Sequence, residues 1–289
     1  MPTKIEKDAL TGRETTGHEW DGLKELNTPL PSWWLYTFYA TIAFSVLWMI
    51  LYPALPLPGA TGLTGWTARG ALSGELEAAR ARTEPMMARL RAATPEQIAA
   101  DPELRAFALA GGRIAFANHC AACHGAGGQG ARGGYPNLAD DDWLWGGDLA
   151  AIHATIRHGI RNQDSEEARM SIMPRFLADG TLTMAQIHDV AEYVLSLSGR
   201  ATQPAMAARG EGIYAENCAS CHGERGEGNQ EIGAPRLNDR IWLHGSDRAA
   251  IAAYIANPVL GVMPAFGQRL DPAVVNMLTV YVHALGGGR

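Results

Sequence analysis

The sequence predicts an all-α chain, with one N-terminal membrane-crossing helix followed by two tandem small helical domains built on a repeated unit. Three observations carry that expectation. No charged residue stands between Glu25 and Arg69. Residues 110–199 and 200–289 repeat one another position by position. Each copy holds one Cys-x-x-Cys-His, namely Cys120-Ala121-Ala122-Cys123-His124 and Cys218-Ala219-Ser220-Cys221-His222.

Residues 1–32 are mostly polar and read as a cytoplasmic N-terminal segment. The apolar run that follows, Trp33 to Tyr52 extended by Pro53 to Leu57, is long enough for the roughly 20 residues a spanning helix needs. Trp33, Trp34 and Tyr36 cluster at its first end, and Trp48 and Tyr52 near the other, as in interfacial belts. Pro31 precedes the span and Pro53, Pro56 and Pro58 follow it. A cleaved signal peptide fits poorly: a long polar stretch comes first, the apolar run exceeds about 7–15 residues, and no small-residue cleavage site is clear. Lys24 and Arg69 are the basic residues nearest the two ends, so charge asymmetry does not orient the span.

Residues 58–109 read as a linker with short helices. Its first part is Gly/Thr-rich, and Pro85, Pro95 and Pro102 are expected to break the Ala/Glu/Arg-rich remainder into pieces. The repeat then begins. Gly112, Ile114, Phe116 and Cys120 match Gly210, Gly212, Tyr214 and Cys218. Leu138, Trp143 and Asp148 match Leu237, Trp242 and Asp247. Met173-Pro174-Arg175-Phe176 matches Met263-Pro264-Ala265-Phe266, and Ile187, Val190 and Val194 match Val275, Leu278 and Val282. Each unit reads as helix, motif, Gly-rich loop, helix, Met-Pro loop, helix. The spacing of Ile187, Val190, Val194 and Leu197 puts one apolar face on the last helix.

The 289 residues carry a net charge of −6, which argues against a nucleic-acid binder. All four cysteines lie in the two motifs, so there is no disulfide framework to infer. Cys-x-x-Cys-His has one dominant chemical meaning. The two thiols, here Cys120 with Cys123 and Cys218 with Cys221, bond to the vinyl groups of a heme, and the next histidine, His124 or His222, ligates its iron. Two covalently bound c-type hemes are therefore expected, on the non-cytoplasmic side. A four-thiolate zinc site is the rival. Zinc ribbons separate their pairs by roughly 15–20 residues, whereas 94 separate Cys123 from Cys218. A redox dithiol would come with a βαβ pattern, and none is visible.

A second iron ligand common to both units should recur at equivalent positions. Met173 and Met263 do, each followed by a proline that restricts the loop. Which methionine serves which iron stays open at this stage. The histidines fail the test: His244 is matched by Trp145, His188 by Asn276, His158 by Asn257 and His153 by Ala252. One-sided use of His158 is the remaining alternative. His/Met ligation raises the reduction potential relative to two histidines and leaves no open position for a substrate, so no catalytic residue is expected. Trp143 and Trp242 read as core or heme-wall aromatics, and Arg236 could reach a heme propionate. Residues 110–199 hold ten acidic residues against six arginines. That face could steer a basic donor, or be simply solvated.

The order of elements in each unit resembles the cytochrome c fold, giving an all-α chain with one N-terminal transmembrane helix and two tandem cytochrome c-like domains. A more specific resemblance enters at Asp21-Gly22-Leu23-Lys24-Glu25-Leu26-Asn27-Thr28-Pro29-Leu30-Pro31-Ser32-Trp33-Trp34. With Tyr135-Pro136-Asn137-Leu138, Trp143-Leu144-Trp145-Gly146-Gly147 and Arg157-His158-Gly159-Ile160, nearly the whole chain resembles the diheme subunit III of cbb3-type cytochrome c oxidases. The resemblance implies a single-pass protein of the bacterial inner membrane with its heme domains in the periplasm. It implies electrons received from a cytochrome c or a cytochrome bc complex. These would pass through a monoheme subunit II to the catalytic heme–copper subunit I of a proton-translocating oxidase. An anchored cytochrome serving a periplasmic dehydrogenase and a diheme peroxidase are the alternatives; two symmetric Met-Pro loops count against the second.

Overall fold

The computed structural model describes residues 4–52, 59, 61–131 and 133–286. They fall into two compact units, Met1–Arg82 and Thr83–Arg289.

The first unit begins with a departure from the all-helical expectation. Strands β1 (Thr15–Trp20) and β2 (Leu23–Leu26) form an antiparallel hairpin in which Trp20 pairs with Leu23 and Glu19 with Lys24. Asp21 and Gly22 form the loop, both at positive φ, 49° and 83°. Asp-Gly is a preferred pair where a two-residue hairpin turn needs both φ values positive. Lys24 adds an ion pair to Glu6 at 2.6 Å.

Helix α1 (Ser32–Leu51) buries none of its side chains, although it is apolar all round. At 1.5 Å per residue it is about 30 Å long, the thickness of a bilayer's hydrocarbon core. Three of its hydroxyls bond to backbone carbonyls within the helix. Thr37 donates to the Trp33 carbonyl at 2.9 Å, Thr41 to Phe38 at 2.7 Å and Ser45 to Thr41 at 2.8 Å, as a lipid environment requires. Residues 53–57 of the expected span, and Pro53, Pro56 and Pro58, lie outside the described residues.

Helix α2 (Ala68–Ala92) corrects one expectation, for it runs unbroken through Pro85. An interior proline costs a hydrogen bond. Packing of the final turns offsets this: Leu90 is fully buried, with Met86 and Met87 against the same cluster, and a buried leucine contributes about 1.5–3 kcal/mol. Pro95 and Pro102 do punctuate the chain. Each opens a helix, α3 (Pro95–Ala100) and α4 (Pro102–His119), where the missing N–H costs nothing.

The rest of the second unit contains the one-turn helix α5 (Ala121–His124), then α6 (Leu149–His158), α7 (Met184–Leu197), α8 (Pro204–Asn217), the one-turn α9 (Ala219–His222), α10 (Arg248–Ala256) and α11 (Pro272–His283). Asp148 and Asp247, equivalent in the repeat, cap α6 and α10 by accepting from the Ala151 and Ala250 amides.

These helices form two lobes by exchanging partners. Helix α7, which closes the first repeat, packs on α8 and α10 of the second; Val190, Val194, Tyr214 and Ile251 share that core. Helix α11, which closes the second repeat, packs on α4 and α6 of the first, with Phe116, Ile152, Ile156 and Leu278 in the core. The aromatic pairs show the same crossing. Tyr193 of the first repeat meets Tyr214 of the second at 5.0 Å, and Tyr281 of the second meets Phe116 of the first at 5.5 Å. The lobes therefore differ from the contiguous stretches 110–199 and 200–289. The physical reason is twofold. The closing helices have equivalent apolar faces, so either can cover either lobe. The connection from α7 to α8 is short, which makes the two helices antiparallel neighbours.

That connection is pinned by a buried acid. Glu192, fully inaccessible to solvent, accepts from the Thr202 amide (2.9 Å), the Thr202 hydroxyl (2.9 Å) and the Gln203 amide (3.2 Å). Burial works to raise its pKa, but these bonds and nearby Arg248 outweigh it and hold the carboxyl below its usual value. Two glycines make the crossings close. A Cβ on Gly112 would meet the Met277 carbonyl oxygen at 2.5 Å, and one on the equivalent Gly210 the Asp189 carbonyl at 2.2 Å.

Gly112→Ala and Gly210→Ala are each expected to lower stability by about 1–3 kcal/mol through overpacking, visible as a lower Tm in circular dichroism. Because the folded pKa of Glu192 lies below the unfolded value, its stabilisation is present above about pH 4 and is lost as pH falls through the folded value. Glu192→Gln should cost about 1–3 kcal/mol at pH 7. Denaturant titrations should show the gap between the two proteins narrowing as pH falls below about 4.

Candidate heme-binding sites

The two motifs are built alike. Helix α4 ends at Cys120, α5 makes one further turn, and Gly125 at φ 78° stops it. Helix α8, Cys218, α9 and Gly223 at φ 82° repeat the arrangement. In each pair the first thiol faces inward and the second outward: Cys123 and Cys221 are exposed, Cys120 is half-buried and Cys218 buried.

The loop after each motif turns back on the histidine. The Gly130 amide donates to the His124 carbonyl at 2.7 Å, and the Gly228 amide to the His222 carbonyl at 2.8 Å. A side chain at Gly130 would strike the Tyr135 carbonyl, which is why this position is glycine. The fold-back brings the Pro136 carbonyl 3.1 Å from His124 Nδ1 and the Pro235 carbonyl 3.0 Å from His222 Nδ1. A carbonyl can only accept, so each Nδ1 carries the proton and each Nε2 is left with a lone pair for a metal. Burial lowers both imidazole pKa values and the carbonyl contact only partly opposes it, which favours the neutral, ligating form.

Met173 and Met263 sit across the exchange. Met173 packs against the cluster containing Cys218, Tyr214 and Ile251. Met263 packs against the one containing Phe116, Ile152 and Ile156, as Cys120 does. Met263 is also fixed by its backbone: it exchanges hydrogen bonds with Ile160 at 2.9 and 3.0 Å, and Asn162 Nδ2 donates to its carbonyl at 2.8 Å. The alternative ligand His158 is engaged elsewhere, with Nδ1 3.0 Å from the Ser165 hydroxyl and Nε2 3.3 Å from the Glu167 carboxylate.

The cysteine pairs belong to different clusters, so they are not assembled into one four-thiolate set. The Cys120 and Cys218 thiols are each pushed up to about 11, chiefly by burial and then by the neighbouring thiol. A reactive dithiol needs the opposite shift.

The environment fits a heme at each motif. Trp143 Nε1 and Trp242 Nε1, equivalent in the repeat, are buried donors with no partner among the described residues. An unpaired buried donor costs about 1–3 kcal/mol, and one repeated in both lobes is suited to an acceptor such as a heme propionate. Arg200 lies over the Trp242 ring at 5.6 Å and has one terminal nitrogen in the same condition. The indoles appeared in the sequence only as wall aromatics, and the Pro136 and Pro235 carbonyls were not legible there at all. A cavity of about 330 Å³ lies between the loops, lined among others by Tyr135, Pro136, Asp142 and Trp242. Burial, with Asp239 and Asp140 adding to it and Arg236 opposing, pushes Asp142 up to about 6.

Comparison with known proteins gives a consistent result along the whole chain. Residues 12–58 match the N-terminal domain of cytochrome oxidase-cbb3, FixP; residues 108–198 match cytochrome c; residues 205–282 match cytochrome c oxidase, cbb3-type, subunit III. Among similar proteins, the cbb3-type cytochrome c oxidase subunit CcoP of Azospirillum brasilense is 50% identical, over 98% of this chain and 99% of its own. CcoP of Cereibacter sphaeroides is 49% identical over 100% of both chains. The FixP subunit of Bradyrhizobium diazoefficiens is 48% identical, again over 100% of both. With two heme motifs in two cytochrome c-like lobes behind one apolar N-terminal helix, the chain belongs to the cbb3-type cytochrome c oxidase subunit III family and carries two c-type hemes.

Proposed function

We propose that this subunit relays electrons within a cbb3-type oxidase of the bacterial inner membrane. It accepts them from a cytochrome c or a cytochrome bc complex and passes them through a monoheme subunit II toward the heme–copper subunit I. The N-terminal segment lies in the cytoplasm and the two lobes in the periplasm, where covalent heme attachment takes place. Each heme, when bound, supplies a one-electron iron couple; the chain supplies the attachment, the ligands and the surroundings.

In this reading Cys120 and Cys123 hold one heme and Cys218 and Cys221 the other. His124 pairs with Met263 at the first iron, and His222 with Met173 at the second. The observation that carries this pairing is the packing of each methionine against the cluster around the other repeat's motif. The prolyl carbonyls orient the imidazoles, and a methionine thioether as the second ligand would raise the potential relative to a second histidine. A histidine and a methionine at each iron would leave no position for a substrate, which disfavours a peroxidase. An anchored cytochrome for a dehydrogenase would share every feature of the lobes, and the full-length similarity to oxidase subunits favours the first reading.

Native gels of the solubilised membrane, stained for heme, should place this chain in a band with a heme–copper subunit; partners lacking such a subunit would contradict the proposal. Met263→His is expected to lower one of the two midpoint potentials, with both hemes still covalently attached in a redox titration and mass measurement. His158→Ala should leave both potentials where they were.

A further inference from the structure

The loops bearing Met173 and Met263 meet at one side chain, Arg161. Its Nε donates to the Gly261 carbonyl at 2.7 Å, and a terminal nitrogen donates to the Ser171 hydroxyl at 3.2 Å. Ser171 and Gly261 each stand two residues before a repeat methionine, so the guanidinium grips both loops at the same place. The surroundings hold the arginine in turn. Its own amide donates to the Arg169 carbonyl at 2.9 Å, and the preceding Ile160 forms the backbone pair with Met263. The Tyr254 hydroxyl donates to the Val259 carbonyl at 3.1 Å, fixing the approach of the second loop. Arg161 adopts φ 49°, a region an arginine rarely enters. A sparsely populated backbone conformation persists only where neighbouring contacts determine it. Counting from His158 and its repeat counterpart Asn257 puts Leu260 at the equivalent place, so the repeat supplies no second arginine.

We propose that Arg161 is a positioning residue that holds both axial-methionine loops against their irons from a single anchor. This rests on Met173 and Met263 being the ligands. The full chain, with both hemes and in detergent or nanodiscs, tests both statements. In the oxidised wild type, an iron–thioether bond gives a charge-transfer band in the red; its absence would overturn the ligand assignment and the proposal with it. In the reduced protein, carbon monoxide binds only where the sulfur has detached, so the binding rate reads how firmly each loop is held. Arg161→Met removes one charge-assisted hydrogen bond per loop and should speed binding at both hemes about tenfold. Ser171→Ala should speed only one of the two phases, that of the heme served by Met173. Rates unchanged in Arg161→Met, or raised at one heme alone, would overturn the role, as would equal acceleration of both phases in Ser171→Ala. Unfolding curves recorded alongside separate this from general loss of stability. If Arg161→Met fails to retain both hemes, Ser171→Ala decides alone, and an unchanged rate there overturns the proposal.

Discussion

The turn between Leu197 and Pro204 decides how the second unit is assembled. Glu192 reaches down from α7 and takes three hydrogen bonds from Thr202 and Gln203, so the chain must reverse there. Asp189 to Arg209, at 2.7 Å, ties the same two helices together further along. Once α7 lies antiparallel on α8, it covers the lobe built on the second heme motif. The first motif is left to be covered by the equivalent helix from the other end of the repeat, α11. Everything that follows, including which lobe each repeat methionine joins, descends from that reversal.

Exchange within one chain leaves local chemistry intact because the repeat is faithful where it counts. Val190 and Leu278 hold equivalent, fully buried positions on their helices, and Gly112 and Gly210 allow similarly close approach to their exchanged partners. A swapped arrangement also makes each lobe depend on the other repeat for its closing helix, so the two are expected to lose structure together. Both imidazoles are oriented by a prolyl carbonyl that a glycine-led loop brings back. Both lobes leave an indole N–H buried and waiting for an acceptor. Those paired features are the imprint of the cofactor on the polypeptide, whereas Arg161, at their junction, has no arginine counterpart in the second repeat.

Much of this was legible in the sequence. Four cysteines followed twice by histidine gave the cofactor, and an uncharged run rimmed by tryptophan and tyrosine gave the membrane helix. Asp-Gly between Trp20 and Leu23 signalled the hairpin, but the polar character of the first 32 residues hid it. The passage of α2 through Pro85 was not legible, because local propensity opposes it and the support comes from tertiary packing of Met86, Met87 and Leu90. Nor was the exchange. Two copies with equivalent apolar faces are degenerate to any pattern-based reading, and only the geometry of the short turn at 198–203 breaks the tie.

The central claim is that each iron is held by an imidazole from one repeat and a sulfur from the other. Methyl-labelled methionine NMR on the reduced chain tests it most directly, since a ligating methyl is shifted far upfield by the porphyrin ring current. In a chain whose second motif carries Cys218→Ala and Cys221→Ala, one heme remains, on Cys120 and Cys123. The single upfield methyl is then expected on Met263, so that Met263→Leu abolishes it. If Met173→Leu abolishes it instead, the pairing across the repeat is wrong.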